Sequence, residues 1–168
     1  MRPILDSLQK LLLEQKTMLE ELLALSLEER QIIINGEADK LEDVVRREFK
    51  GLSKLGSLEK KRLTLNKDIS EEFDIPESEI TVSAIAARAQ PDESEALTSL
   101  RSELLTLAQK HSEVNNENRE LIKSHLEYSE MMLDLMVESD DPLNNYYGGD
   151  GRSATDNKKT TGFFDGRF

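Results

Sequence analysis

Residues 97–135 read LTSLRSELLTLAQKHSEVNNENRELIKSHLEYSEMMLDL, and their spacing decides the fold. Alternating steps of three and four pass through Leu97, Leu100, Leu104, Leu107, His111, Val114, Asn118, Leu121, His125, Tyr128, Met132 and Leu135 without a skipped step. Nine of these twelve positions are apolar, which is the pattern of one long helix laid against others. His111, Asn118 and His125 interrupt the seam with polar side chains. Such interruptions weaken a helical interface and set its register, because only one alignment gives each a hydrogen-bonding partner.

The chain upstream supplies helices for this one to pack on. Pro3 suits a first helical turn, and Ile4, Leu5, Leu8, Leu11, Leu12, Met18, Leu19, Leu22, Leu25, Ile32 and Ile33 follow at helical spacing. Gln15 and Glu29 fall on the same stripe. They sit either at its edge with their heads in water or in buried layers facing polar seam residues. Asn35-Gly36 closes this helix, since both residues tolerate the left-handed conformation. A second helix is expected from about Glu37 to Phe73, with Leu41, Val44, Val45, Phe49, Leu52, Leu55, Leu58, Arg62 and Leu63 facing inward. The two-residue break between them implies an antiparallel hairpin. Gly51 and Gly56 each weaken the second helix by about 1 kcal/mol relative to alanine, so either they mark close helix approach or a bend, or they are simply tolerated.

Pro76 ends this segment, and Val82–Ala89 reads as a short linker helix capped by Thr81. Pro91-Asp92-Glu93 then opens the long helix, with carboxylates near the positive end of its dipole. Asp140-Asp141-Pro142 stops it. The residues beyond have no periodicity and are rich in Gly, Asn, Asp, Ser and Thr, as in flexible chain. The expected fold is therefore all-α: an elongated antiparallel bundle of three long helices with coiled-coil-like packing, one short linker helix and a flexible C-terminal tail. Residues 1–138 form the helical domain and 139–168 the tail.

Composition narrows the function. A net charge of −12 gives the wrong sign for binding nucleic acid or an anionic membrane surface. With no cysteine, disulfides and thiolate metal sites are excluded, in keeping with a reducing cytoplasm. No apolar run reaches the roughly 18 residues of a membrane span, and the opening residues lack the apolar core of a signal peptide. His111 and His125 are the only histidines, and fourteen residues of helix hold them roughly 21 Å apart, too far to share a metal or a proton. Gly148-Gly149-Asp150-Gly151 lacks the Lys-Ser/Thr that a phosphate loop requires. No enzyme chemistry, cofactor or metal is expected.

Two features point instead to protein partners. Between Leu121 and Val137 ten of seventeen residues are apolar, in two stripes: the seam, and a second through Ile122, Leu126, Leu133 and Val137. Three of the five methionines, Met131, Met132 and Met136, fall here, and flexible thioethers suit a surface that adapts to a partner. The alternative is a homodimer that buries the second stripe. The tail holds five of the eight aromatics, Tyr146, Tyr147, Phe163, Phe164 and Phe168, which read as short recognition anchors.

Ile34-Asn35-Gly36, Leu58-Glu59 with Arg62, then Asn115, Asn118, Leu121 and Ile122, and Tyr147-Gly148 with Gly151 form an ordered set along the chain. In that set the sequence resembles the FlgN family of flagellar export chaperones. The resemblance implies a cytoplasmic protein that binds the terminal amphipathic segments of hook-associated proteins, the components of the hook-filament junction. Such a protein prevents their premature assembly and delivers them to the flagellar export gate. It places client binding on Ile122, Leu126, Met132, Leu133, Met136 and Val137, and the export-gate contact on Tyr147, Gly148 and Gly151. Tyr146, Phe163, Phe164 and Phe168 remain tail anchors without a family counterpart, and the linker from Ser78 to Gln90 has none either. A self-associating coiled-coil scaffold is the alternative from a different class.

Overall fold

The computed structural model describes residues 2–139, and within them every regular element is helical. α1 spans Pro3–Asn35, α2 Ala38–Thr64, α3 Asn66–Phe73, α4 Val82–Ala86 and α5 Pro91–Ser139, with one 3₁₀ turn at Glu77–Glu79. The chain divides into two units, Met1–Glu127 and Tyr128–Phe168, with α5 running through the division.

α1 ends where the sequence says it must. Gly36 takes φ 67° and ψ 26°, its N–H reaches the Ile33 carbonyl at 3.1 Å, and the Glu37 N–H reaches that of Ile32 at 3.0 Å. These two bonds cap the carbonyls that the last turn leaves open. α2 then returns antiparallel, as the cross-helix pairs show: Glu28 with Arg47, Ser26 with Glu48, and Gln15 with Glu59. α5 runs parallel to α1, pairing Lys16 with Glu103, Ser26 with Asn115, and Arg30 with Glu117 and Asn118. The order is up, down, up.

The helix expected from Glu37 to Phe73 is instead two, α2 and α3, joined at Leu65. Asp74 closes α3 in the left-handed region at φ 52°, which lets the Ile75 N–H bond to the Ser70 carbonyl at 3.3 Å and drives Ile75 into the core. Pro76 thus follows a stop already made. α4 is capped as expected, with Thr81 Oγ1 accepting the Ala84 N–H at 3.1 Å, though it ends at Ala86 rather than Ala89.

The main apolar cluster lies where the linker crosses the start of α1 and α5. Leu5, Leu8, Leu12, Ile69, Phe73, Ile75, Ile85, Ala86, Leu97 and Leu100 are all buried there. Glu93 fastens this end. One carboxylate oxygen accepts the Gln90 N–H at α5's own start and the other accepts the Arg2 N–H before α1, both at 3.2 Å. The Arg2 guanidinium in turn lies 4.8 Å over the Phe73 ring.

α1, rather than α5, is the most buried helix of the first unit. The nine buried residues of α1 include Gln15 and Ser26. Along the α5 seam Leu97, Leu100 and Asn118 are buried, Leu104, Leu107, His111, Val114 and Leu121 are half-buried, and His125 is exposed.

Candidate functional site

Two buried polar layers interrupt the apolar packing between the helices. In the first, Gln15 donates to Glu59 at 2.9 Å, and Glu59 takes two further bonds from Arg62, three residues on, at 2.9 and 2.7 Å. The Arg62 guanidinium holds the Glu59 carboxyl below the usual carboxylate range. Gln15 is therefore buried, but its partner comes from α2 and not from the long helix.

The second layer does involve the long helix. Asn118 donates to the Ser26 carbonyl at 2.8 Å and to the Glu29 carboxylate at 2.7 Å, and its own oxygen accepts from Arg30 Nε at 3.4 Å. Ser26 Oγ lies 2.9 Å from a Glu48 oxygen and 2.8 Å from Asn115 Oδ1. Burial pushes the Glu48 carboxyl above its ordinary range, the nearby Glu29 charge adds to that, and the Ser26 hydroxyl opposes it. His111 is half-buried in the same interface, and desolvation lowers its pKa. Both layers join helices, and Glu29, Glu48, Asn115 and Asn118 of the second also line an open surface depression with Arg119 and Ile122. Among the described residues no group of His, Cys, Asp and Glu could hold a metal ion. No described helix is long and apolar enough to cross a membrane.

The residues singled out as a partner surface divide between the two units. In the first, Ile122 is half-buried and Leu126 is exposed. In the second, Met132 is half-buried, while Leu133, Met136 and Val137 are exposed, Val137 to 73%. Tyr128, Met131 and Leu135 are exposed as well. Tyr146, Tyr147, Gly148, Gly151, Phe163, Phe164 and Phe168 lie outside the described residues.

A further apolar surface is one that sequence reasoning turned the wrong way. Val45, Phe49, Leu52 and Leu63, expected to face inward, are exposed on α2, Phe49 to 74%. The residues of α2 that reach the core are Val44 and Leu58. Between them Gly51 brings α2 so close to α1 that an added Cβ would stand 2.8 Å from Leu22 Cδ2. Val44 and Val45 lie 100° apart on the helix, and α2 turns only Val44 to α1.

Comparison with known proteins returns one informative result. Neither the search of curated proteins nor that of solved structures gives a match. A family profile described as FlgN protein matches residues 1–155, nearly the whole length and through all the helices described above. With an all-helical fold and a match of that extent, the chain belongs to the FlgN family of flagellar export chaperones.

Proposed function

We propose that this chain binds the terminal amphipathic segments of hook-associated proteins in the cytoplasm, keeps them from assembling early, and delivers them to the flagellar export gate. Client contact falls on Ile122 and Leu126, and on Met132, Leu133, Met136 and Val137. The exposure of Leu133 and Val137 in water, on a helix with no polar reason to present them, is the observation that carries this reading. An amphipathic client helix would cover that apolar area, and methionines would adapt to it. The export-gate contact falls on Tyr147, Gly148 and Gly151, with Tyr146, Phe163, Phe164 and Phe168 as further anchors of a tail that begins at residue 139. The work needs no catalytic group and no cofactor: the client is held by burial alone and released to the gate.

The test is direct binding of synthetic C-terminal segments of hook-associated proteins to the full chain, to Leu133→Asp and Val137→Asp, and to a version ending at Glu138. Binding by the full chain that drops at least tenfold in the two point variants supports the α5 surface. Full binding after truncation assigns the tail to the gate alone. Hook-associated segments that bind neither the full chain nor any variant overturn the reading.

A further inference from the structure

The charge of this protein is unevenly spread. From Val44 to Thr64 the sequence holds seven Lys and Arg against two Asp and Glu, in a chain of net charge −12, whereas α5 holds four against eleven. Those two carboxylates, Glu48 and Glu59, are turned toward α1, where they meet Ser26 and Gln15. Arg46, Lys50, Lys54, Lys60 and Lys61 are exposed on the outer side, and the positions between them there are Ser53, Ser57 and Thr64. Among the described residues Lys50, Lys54, Lys60 and Lys61 form no ion pair.

The exposed apolar residues of α2 lie beside this basic sector. Val45, Phe49, Leu52 and Leu63 are centred about 100° round from Val44, which faces α1, and they run along roughly 27 Å of helix. They form a ridge and not a cleft, for Phe49 is 74% exposed. A partner protein would have to supply a groove for such a ridge, whereas the boundary between lipid headgroups and acyl chains takes one without a matching shape. Four of the five bordering cations are lysines. A lysine is a point charge on a flexible stem, suited to a fluid anionic surface rather than to one fixed pairing geometry.

We propose that α2 docks this protein on an anionic phospholipid surface, with Val45, Phe49, Leu52 and Leu63 entering the interface and Lys50, Lys54, Lys60 and Lys61 meeting the phosphates. The net charge of the whole chain has the wrong sign for this, but charges beyond a Debye length, about 8 Å at physiological ionic strength, are largely screened. The sign of the nearest face therefore governs. This inference goes beyond the client reading and does not depend on it, since it concerns the purified chain and lipid alone.

Flotation of the full chain with vesicles tests it. The chain should float with vesicles of phosphatidylcholine and phosphatidylglycerol in equal parts and stay behind with phosphatidylcholine alone, and high salt should weaken binding several-fold. Lys50→Gln together with Lys60→Gln should weaken it about tenfold or more. Phe49→Glu should abolish it with helicity unchanged, whereas Leu105→Glu, at an exposed position of α5, should leave it as it was. The chain has no tryptophan, so Phe49→Trp supplies a single one, whose emission should shift to the blue on the mixed vesicles as the ring leaves water. No flotation with the mixed vesicles overturns the proposal. So does equal flotation with neutral vesicles, flotation indifferent to Phe49→Glu, or an emission of Phe49→Trp that does not move. An acidic helical peptide that shifts this emission where vesicles do not also overturns it, in favour of an acidic protein partner. A failure here leaves client binding, measured separately, standing or falling by itself.

Discussion

The side-chain amide of Asn118 donates a 2.8 Å hydrogen bond to the main-chain carbonyl of Ser26, joining residues 92 positions apart. The same amide group serves Glu29, and its oxygen accepts from Arg30, so a side chain only 2% exposed has its polar atoms engaged. Sliding α5 by one turn would bring Val114 or Leu121 to this place and leave the Glu29 carboxylate without its donor. Asn118→Ala should therefore destabilise the protein by about 1–3 kcal/mol, the usual effect of orphaning buried polar groups. Urea denaturation measures it, and a loss under about 0.5 kcal/mol would show that this layer does not fix the register.

The two glycines of α2 should respond in opposite directions. Gly51→Ala gains helix propensity but forces a methyl against the fully buried Leu22, and overpacking of that kind typically costs about 1–3 kcal/mol, so stability should fall. Gly56→Ala meets open space and should stabilise the isolated chain by about 0.5–1 kcal/mol. Thermal unfolding of both variants at one low protein concentration checks the contrast.

Stability should fall as pH drops below neutrality, through His111. Unfolded, a histidine protonates near 6.5; folded, desolvation holds His111 below that. Across that interval the unfolded chain binds the extra proton, so stability is full above about pH 6.5 and declines until the folded pKa is passed. His111→Gln should flatten this part of a plot of melting temperature against pH.

Glu48 should work the other way. Burial raises its folded pKa above that of the unfolded chain, so its favourable contribution is complete below the unfolded value, near 4.3, and is lost as pH rises through the folded one. At neutral pH the buried charge is a burden beside Glu29. Glu48→Gln keeps an oxygen for the Ser26 hydroxyl and removes that charge, and it should raise the melting temperature at pH 7 but not at pH 4. An unchanged or lower value at pH 7 would contradict this account.

Glu93 closes two helix starts at once, which predicts a larger loss than an ordinary cap. Glu93→Ala should cost about 1–2 kcal/mol, since the Gln90 and Arg2 N–H groups both lose their acceptor. Glu93→Gln, which retains one carbonyl oxygen, should recover part of it in the same denaturation experiment.

Period and punctuation were legible in the sequence, since both depend on neighbours along the chain. The heptad steps of α5, the glycine that ends α1, the Thr81 cap and the proline that opens α5 each act within a few residues. A local physical rule therefore located them, and the all-helical fold followed. The break at Leu65 escaped because an apolar residue carries no stop signal. The candidate surface was half legible: the stretch from Leu126 to Val137 held more apolar residues than one facing hairpin needs, whereas Phe49 and Leu52 had the period of a core face and turned out exposed.

By itself the sequence determined that the described chain is helical, where α1 ends and where α5 begins. Only the tertiary structure decided which of two apolar faces α2 turns to α1, that Gln15 pairs with Glu59 while Asn118 takes Ser26 and Glu29, and that α1 is the most enclosed helix of its unit. Periodicity defines a face but not its neighbour. The neighbour is chosen by close approach and by polar satisfaction between residues far apart in the chain, here by the gap at Gly51 and the amide of Asn118.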